Sequence, residues 1–64
     1  MCESNAYIKR GDKPEEILLE DVARVTFGGE FVVLTGVLGN QISVKAEVLE
    51  LDLMGHRLLL RERD

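Results

Sequence analysis

The most chemically distinctive residue of this chain is its single cysteine, Cys2, which follows the first methionine. A cysteine is often a small buried side chain, but chain ends usually lie at the surface. At the surface the thiolate can chelate a metal ion together with the terminal amine and a backbone nitrogen. A short chelate of nitrogen and sulfur donors suits square-planar Ni(II) or Cu(II). Cys2 is therefore a candidate metal ligand, beside the alternative of a buried apolar side chain.

The other residues that could do chemistry lack the partners that such chemistry needs. His56 is the only histidine, and no nucleophile or carboxylate stands at a characteristic spacing from it, so we interpret it as a polar turn residue. The acidic pairs Glu15-Glu16 and Glu20-Asp21 lack the spaced oxygen ligands and the turn glycine of a calcium loop. We interpret both pairs as solvated strand ends, and we expect a protein that is not an enzyme.

Length and charge restrict the functional class. The chain has 64 residues, which allows a single domain over residues 1–64. Its formal net charge is −4 and its pI is near 4.9, which argues against nucleic acid as a partner because a duplex-binding face is basic. No apolar run approaches the roughly 18 residues of a membrane span, and the N-terminus lacks a signal-peptide pattern. We therefore expect a cytoplasmic protein.

A domain this small needs additional stabilisation, because about 60 residues bury only about 60% of the unfolded surface. One cysteine excludes an intrachain disulfide, and the four Cys and His ligands of a structural zinc site are not present in the sequence. The simplest remaining source of stability is a second copy, so we expect a homodimer. Its interface is predicted to bury part of the leucine-rich C-terminal half, with Leu49, Leu51, Leu53 and Leu58 to Leu60 as candidates.

The clearest strand pattern lies between Gln41 and Val48, where apolar and polar residues alternate without an error. The alternation then changes phase, since Leu49, Leu51 and Leu53 are apolar. A slip of one residue exchanges the two faces of a strand, so the sequence predicts a bulge within about two residues of Val48-Leu49. A helical face through the same segment is the alternative, and the unbroken alternation argues against it.

Glycine, proline and asparagine divide the remaining chain into short segments rich in β-formers. An alternative is a helix that starts near Asp12 and Pro14, where Glu15-Glu16 follows. We predict an all-β fold, a small SH3/Sm-like antiparallel barrel of about six short strands. The predicted strands lie within residues 1–9, 15–20, 22–27, 30–35, 41–53 and 57–61.

Small β-barrels often bind RNA, which makes RNA binding, or a role as a protein-interaction adaptor, the alternative function. An RNA site needs cations for the phosphates and aromatic side chains for stacking. The only aromatic residues are Tyr7, Phe27 and Phe31, and both phenylalanines stand at positions that we predict to be core. This distribution argues against RNA as the ligand.

Taken together, several segments resemble the CooT family over nearly the whole chain. The resemblance lies in the order and spacing of the segments, the total length and the cysteine at position 2. One departure is Gly55, which stands before His56 where the family usually has aspartate. The segments are Met1-Cys2-Glu3, Ile17-Leu18-Leu19-Glu20-Asp21-Val22, Val37-Leu38-Gly39, Val44-Lys45-Ala46 and Met54-Gly55-His56-Arg57-Leu58-Leu59-Leu60.

The resemblance implies a cytoplasmic, homodimeric protein that binds Ni(II), with the metal held by Cys2 at the dimer interface. It also implies a role as a nickel chaperone or sensor linked to the maturation of carbon monoxide dehydrogenase, which would be the client enzyme.

Overall fold

A computed structural model of the protein describes residues 4–63. These residues form a closed barrel of five strands, in which each strand pairs with the next along the chain. The predicted all-β class and the small barrel are confirmed. Within residues 4–63 there is no helix of the length and apolarity needed to cross a bilayer. The strands are β1 (Ser4–Lys9), β2 (Glu16–Gly28), β3 (Phe31–Gly36), β4 (Gln41–Asp52) and β5 (Arg57–Glu62).

The barrel has five strands rather than about six, because two of the predicted strands are one. The segments 15–20 and 22–27 both fall almost entirely within β2, which passes through Asp21 without a break. Asp21 has a φ of 54°, a left-handed conformation that aspartate tolerates better than most residues. The chain therefore changes direction at Asp21 while the strand continues.

The seam that closes the barrel is parallel, which corrects the prediction of a wholly antiparallel sheet. β1 pairs with β5 from Asn5–Arg57 to Lys9–Arg61, whereas the other four pairings are antiparallel. Each hairpin reverses the chain, so the first and fifth strands of a meander run in the same direction. A meander with an odd number of strands can close only through a parallel pair.

β4 contains the predicted bulge. Its pairing with β5 changes register between Val48 and Glu50, which leaves Leu49 as the extra residue. This confirms the bulge near Val48-Leu49 and rules out the helical alternative for the segment. The helix start near Asp12 and Pro14 is also wrong, because residues 10–15 form a loop that leads into β2.

The core is made of small and branched aliphatic side chains from four strands. Ile8, Leu34 and Leu60 are the largest fully buried side chains, each with 1% of its surface exposed or less. Ile8 and Leu60 face each other across the parallel seam, so burial is concentrated where the barrel closes. The buried apolar residues are Ala6, Ile8, Val32, Leu34, Ala46, Leu58 and Leu60.

The alternating strand directions give the barrel two ends. The N-terminal end contains the start of β1 and the turn 53–56, and the bend at Asp21 brings the turn 37–40 beside it. The C-terminal end contains the loop 10–15 and the end of β5, and the turn 29–30 lies beside it because Glu30 and Arg63 both bond to the segment 45–46 of β4.

Candidate functional site

The predicted metal ligand, Cys2, lies outside the described residues. The first described residue, Ser4, opens β1 at the N-terminal end and lies opposite Val22 of β2. The chain that carries Cys2 therefore joins the barrel at the N-terminal end. Any site that uses Cys2 has to be sought from this end.

His56 lies beside the start of β1, although it is distant from it in sequence. The Asn5 N–H donates a hydrogen bond to the His56 carbonyl oxygen over 3.0 Å. The parallel β1–β5 seam creates this contact, and local sequence patterns contain no signal for such a pairing. His56 occupies a turn, as predicted, with a φ of 54° that is uncommon outside glycine. The structure thus brings the only histidine to Asn5, three residues after Cys2.

The turn 53–56 presents Met54 to solvent, with 92% of its surface exposed. The turn is fixed by Asp52, whose Oδ1 accepts a hydrogen bond from the Gly55 N–H over 2.8 Å. A Cβ at Gly55 would lie 2.6 Å from Asp52 Oδ2, so the carboxylate occupies the space that a side chain would need. This close approach accounts for the glycine at position 55.

Asn5 also holds the bend of β2. Its Oδ1 accepts a hydrogen bond from the Asp21 N–H over 3.2 Å, and the Asp21 carbonyl accepts one from Val37 N–H over 2.9 Å. These contacts join β1, β2 and the end of β3 around one left-handed residue. Asp21 therefore has a structural role in the bend.

The other acidic pair forms ion pairs with arginines. Glu15 contacts Arg57, and Glu16 contacts Arg10. Within residues 4–63 there is no group of three His, Cys, Asp or Glu side chains placed to hold a metal ion. The described part of the barrel therefore contains no competing metal centre of that kind.

A cavity of about 200 Å³ opens at the N-terminal end between β1, β2, β4 and β5. Its wall is mainly apolar. Arg24 is the only charged residue among the described residues that line it, and it forms no ion pair within residues 4–63. The lining residues are Ser4, Asn5, Val22, Ala23, Arg24, Val25, Leu51 and Leu58.

The leucines predicted to form a dimer interface differ in burial. Leu58 and Leu60 are 4% and 0% exposed in the single chain, so they belong to its core and that part of the prediction is wrong. Leu59, between them, is half-buried. Leu49, Leu51 and Leu53 are exposed and remain available to a second copy. They run from the β4 bulge toward the N-terminal end.

The prediction that both phenylalanines are core residues is wrong. Phe27 is 65% exposed and Phe31 is 49% exposed, on either side of the turn 29–30. The cation opposite Phe31 is Lys45, whose Nζ lies 3.8 Å from Glu30 Oε1. The exposed rings meet one requirement of RNA stacking, while the neighbouring cation is already paired with a carboxylate.

The comparisons with known proteins agree with this architecture. The model of the family described as CO dehydrogenase accessory protein CooT matches residues 1–61. A crystal structure assigned to CooT from Carboxydothermus hydrogenoformans is 38% identical, with a TM-score of 0.86 over 98% of this chain and 100% of that one. An uncharacterized protein of Archaeoglobus fulgidus is 40% identical over 42 residues, 66% of this chain and 93% of that protein.

Proposed function

The chain belongs to the CooT family of CO dehydrogenase accessory proteins, and on this premise we propose that it is a nickel-binding homodimer that serves the maturation of CO dehydrogenase as a Ni(II) chaperone or sensor. The observation that carries the proposal is the family match over residues 1–61, which includes Cys2 and nearly all of the barrel. An accessory protein acts on the maturation of another protein, so no catalytic residues are assigned.

The proposed metal ligand is Cys2, and its chemistry predicts how binding depends on pH. A cysteine thiol has an ordinary pKa of about 8.5, so a thiolate–nickel bond at neutral pH displaces a proton. Affinity should therefore weaken as the pH falls.

Two copies supply more donors than one. If both thiolates bind one ion at roughly 2.3 Å, by analogy with zinc, the two sulfurs lie within about 4.6 Å of each other. The N-terminal ends of the two barrels must then face each other. Leu51 and Leu53, 59% and 74% exposed, lie toward this end and supply apolar surface for the contact.

A cytoplasmic location supports the same chemistry, because the reducing cytosol keeps a free thiol available as a ligand. Copper should outcompete nickel at such a site by the usual order of divalent affinities. Selectivity for nickel then comes from metal availability in the cell.

The test is titration of the metal-free chain with Ni(II), followed by thiolate-to-metal charge-transfer absorption. Cys2→Ser should abolish this absorption and leave the circular dichroism spectrum unchanged, because a residue near the terminus carries little packing. His56→Ala is the matched control, and we expect it to weaken binding less. Equal nickel affinity in the Cys2→Ser variant would refute the proposed site.

RNA binding is the second candidate, and the exposure of Phe27 and Phe31 is the observation that favours it. Stacking on aromatic rings together with phosphate contacts gives retention that falls steeply with salt. If the wild type retains single-stranded RNA and the Phe27→Ser variant does not, the result would support RNA binding in place of nickel binding.

A further inference from the structure

We propose that Met54 of each copy inserts into the cavity at the N-terminal end of the other copy, so that two chains are held by a reciprocal contact. This inference rests on the proposed homodimer and names the surface by which it assembles. The projecting side chain and the cavity lie at the same end of one chain. A twofold axis can therefore seat each methionine in the opposite cavity, as a self-complementary interface requires.

The shapes of the two parts fit. Met54 is 92% exposed, so it does not fill the cavity of its own chain. Methionine is unbranched and flexible, and it adapts to irregular apolar spaces. The cavity of about 200 Å³ is lined by apolar side chains that include Val22, Val25 and Leu51. It offers the volume and the chemistry that a methionine side chain needs.

The charges beside the two parts are also complementary. Arg24 lines the cavity and has no ion-pair partner within residues 4–63. Asp52 precedes Met54 by two residues and has no Lys or Arg partner in the same part of the chain. Seating Met54 in the opposite cavity brings Asp52 of one copy toward Arg24 of the other. The twofold axis makes this pairing twice.

The charge distribution favours a second copy at this end. Each chain has a net charge of −4, so two copies repel each other on approach. The turn 53–56 contains no Lys, Arg, Asp or Glu, and neither does the turn 37–40 beside it. These two turns therefore add no like charge to a contact made at the N-terminal end.

The experiment is sedimentation equilibrium of the metal-free full chain and its variants. Met54→Ser should raise the dimer dissociation constant about 100-fold, since a tenfold loss at each of two equivalent contacts multiplies. Ile17→Ser is the matched control, because Ile17 is 57% exposed and lies near the start of β2, beside the loop 10–15 at the C-terminal end. It should change the constant less than twofold, and Met54→Leu should retain most of the affinity.

Three outcomes separate the inference from the proposed function. A monomeric wild-type chain would refute the homodimer itself. A dimeric wild type that Met54→Ser does not weaken, or that Ile17→Ser weakens equally, would overturn the reciprocal contact alone. Filling the cavity with Ala23→Trp should weaken the dimer as Met54→Ser does, and an unchanged constant in a folded Ala23→Trp variant would also overturn it.

A direct measurement does not depend on substitutions. A sample mixed from differently labelled chains should show an intermolecular nuclear Overhauser effect between the Met54 methyl group and the Val25 methyl groups. Absence of this signal in a dimeric sample would overturn the contact.

Discussion

The two ends of the barrel differ in what they expose. At the C-terminal end, Arg10 bridges Glu16 and Glu62 at 3.3 Å and 3.1 Å, and four of the six residues in the loop 10–15 are charged. At the N-terminal end, the turn 53–56 contains no Lys, Arg, Asp or Glu and projects Met54. The C-terminal end therefore concentrates ion pairs, whereas the N-terminal end concentrates exposed aliphatic side chains.

This difference shows where to look for function in the barrel. An exposed apolar patch usually marks an interaction surface, whereas scattered ion pairs on a surface contribute little to stability. The end with the exposed aliphatic residues is also the end at which β1 begins. The assembly and the metal binding proposed above would therefore use the same end.

The largest expected effect comes from the core that both ends share. Leu60 is fully buried on β5, at the seam with β1. Leu60→Ala should lower the free energy of unfolding by about 2–5 kcal/mol, because a buried leucine leaves a cavity when it is truncated. Urea unfolding measures this loss. Amide exchange of this variant should show both ends opening together. If one end opened while the other stayed protected, the two ends would unfold separately, which would contradict a core shared by both.

A smaller effect is expected at the bend of β2. Asn5→Ala removes the acceptor for the Asp21 N–H at the bend and should cost about 1 kcal/mol. Gln41→Ala is the matched control, since it removes a 3.2 Å side-chain hydrogen bond, between Gln41 and Thr35, that does not involve the bend. We expect that change to cost less than about 0.5 kcal/mol. Equal losses in urea unfolding would contradict a special role for Asn5.

The smallest effect is expected at the charged end. Arg10→Ala removes two ion pairs between partly exposed side chains and should lower stability by at most about 0.5 kcal/mol. In 1 M salt, where the Debye length is about 3 Å, the difference from wild type should vanish. A loss that persists in salt would show that Arg10 stabilises the barrel through packing.

Local sequence patterns predicted those features of the fold that are determined by residues close together in the chain. The alternation from Gln41 to Val48 predicted the long strand, and its change of phase predicted the bulge at Leu49. The strand count failed at Asp21, because a left-handed aspartate lets one strand bend where a turn was expected. The local pattern around Asp21 is the same for a bend within one strand and for a turn between two strands.

Features that depend on distant pairing could not be predicted. The exposure of Phe27 and the burial of Leu58 follow from which strands lie opposite them, and both residues have the same apolar character in the sequence. The position of His56 beside Asn5 follows from the parallel seam alone. The assignment of Cys2 rests on the chemistry of a thiol near the terminus and on the family resemblance. Cys2 lies outside residues 4–63, so its role stays a prediction.

The parallel seam has a consequence for biosynthesis. β1 is the first described strand to be translated and β5 is the last, so the barrel cannot close on the ribosome until the codons for Arg57 to Glu62 have been read. Contacts so far apart in sequence also form slowly. A nascent chain without β5 lacks the hydrogen bond between Asn5 and His56 that anchors the N-terminal end. Truncated translation products would thus present the start of β1 without the strand that closes the barrel beside it.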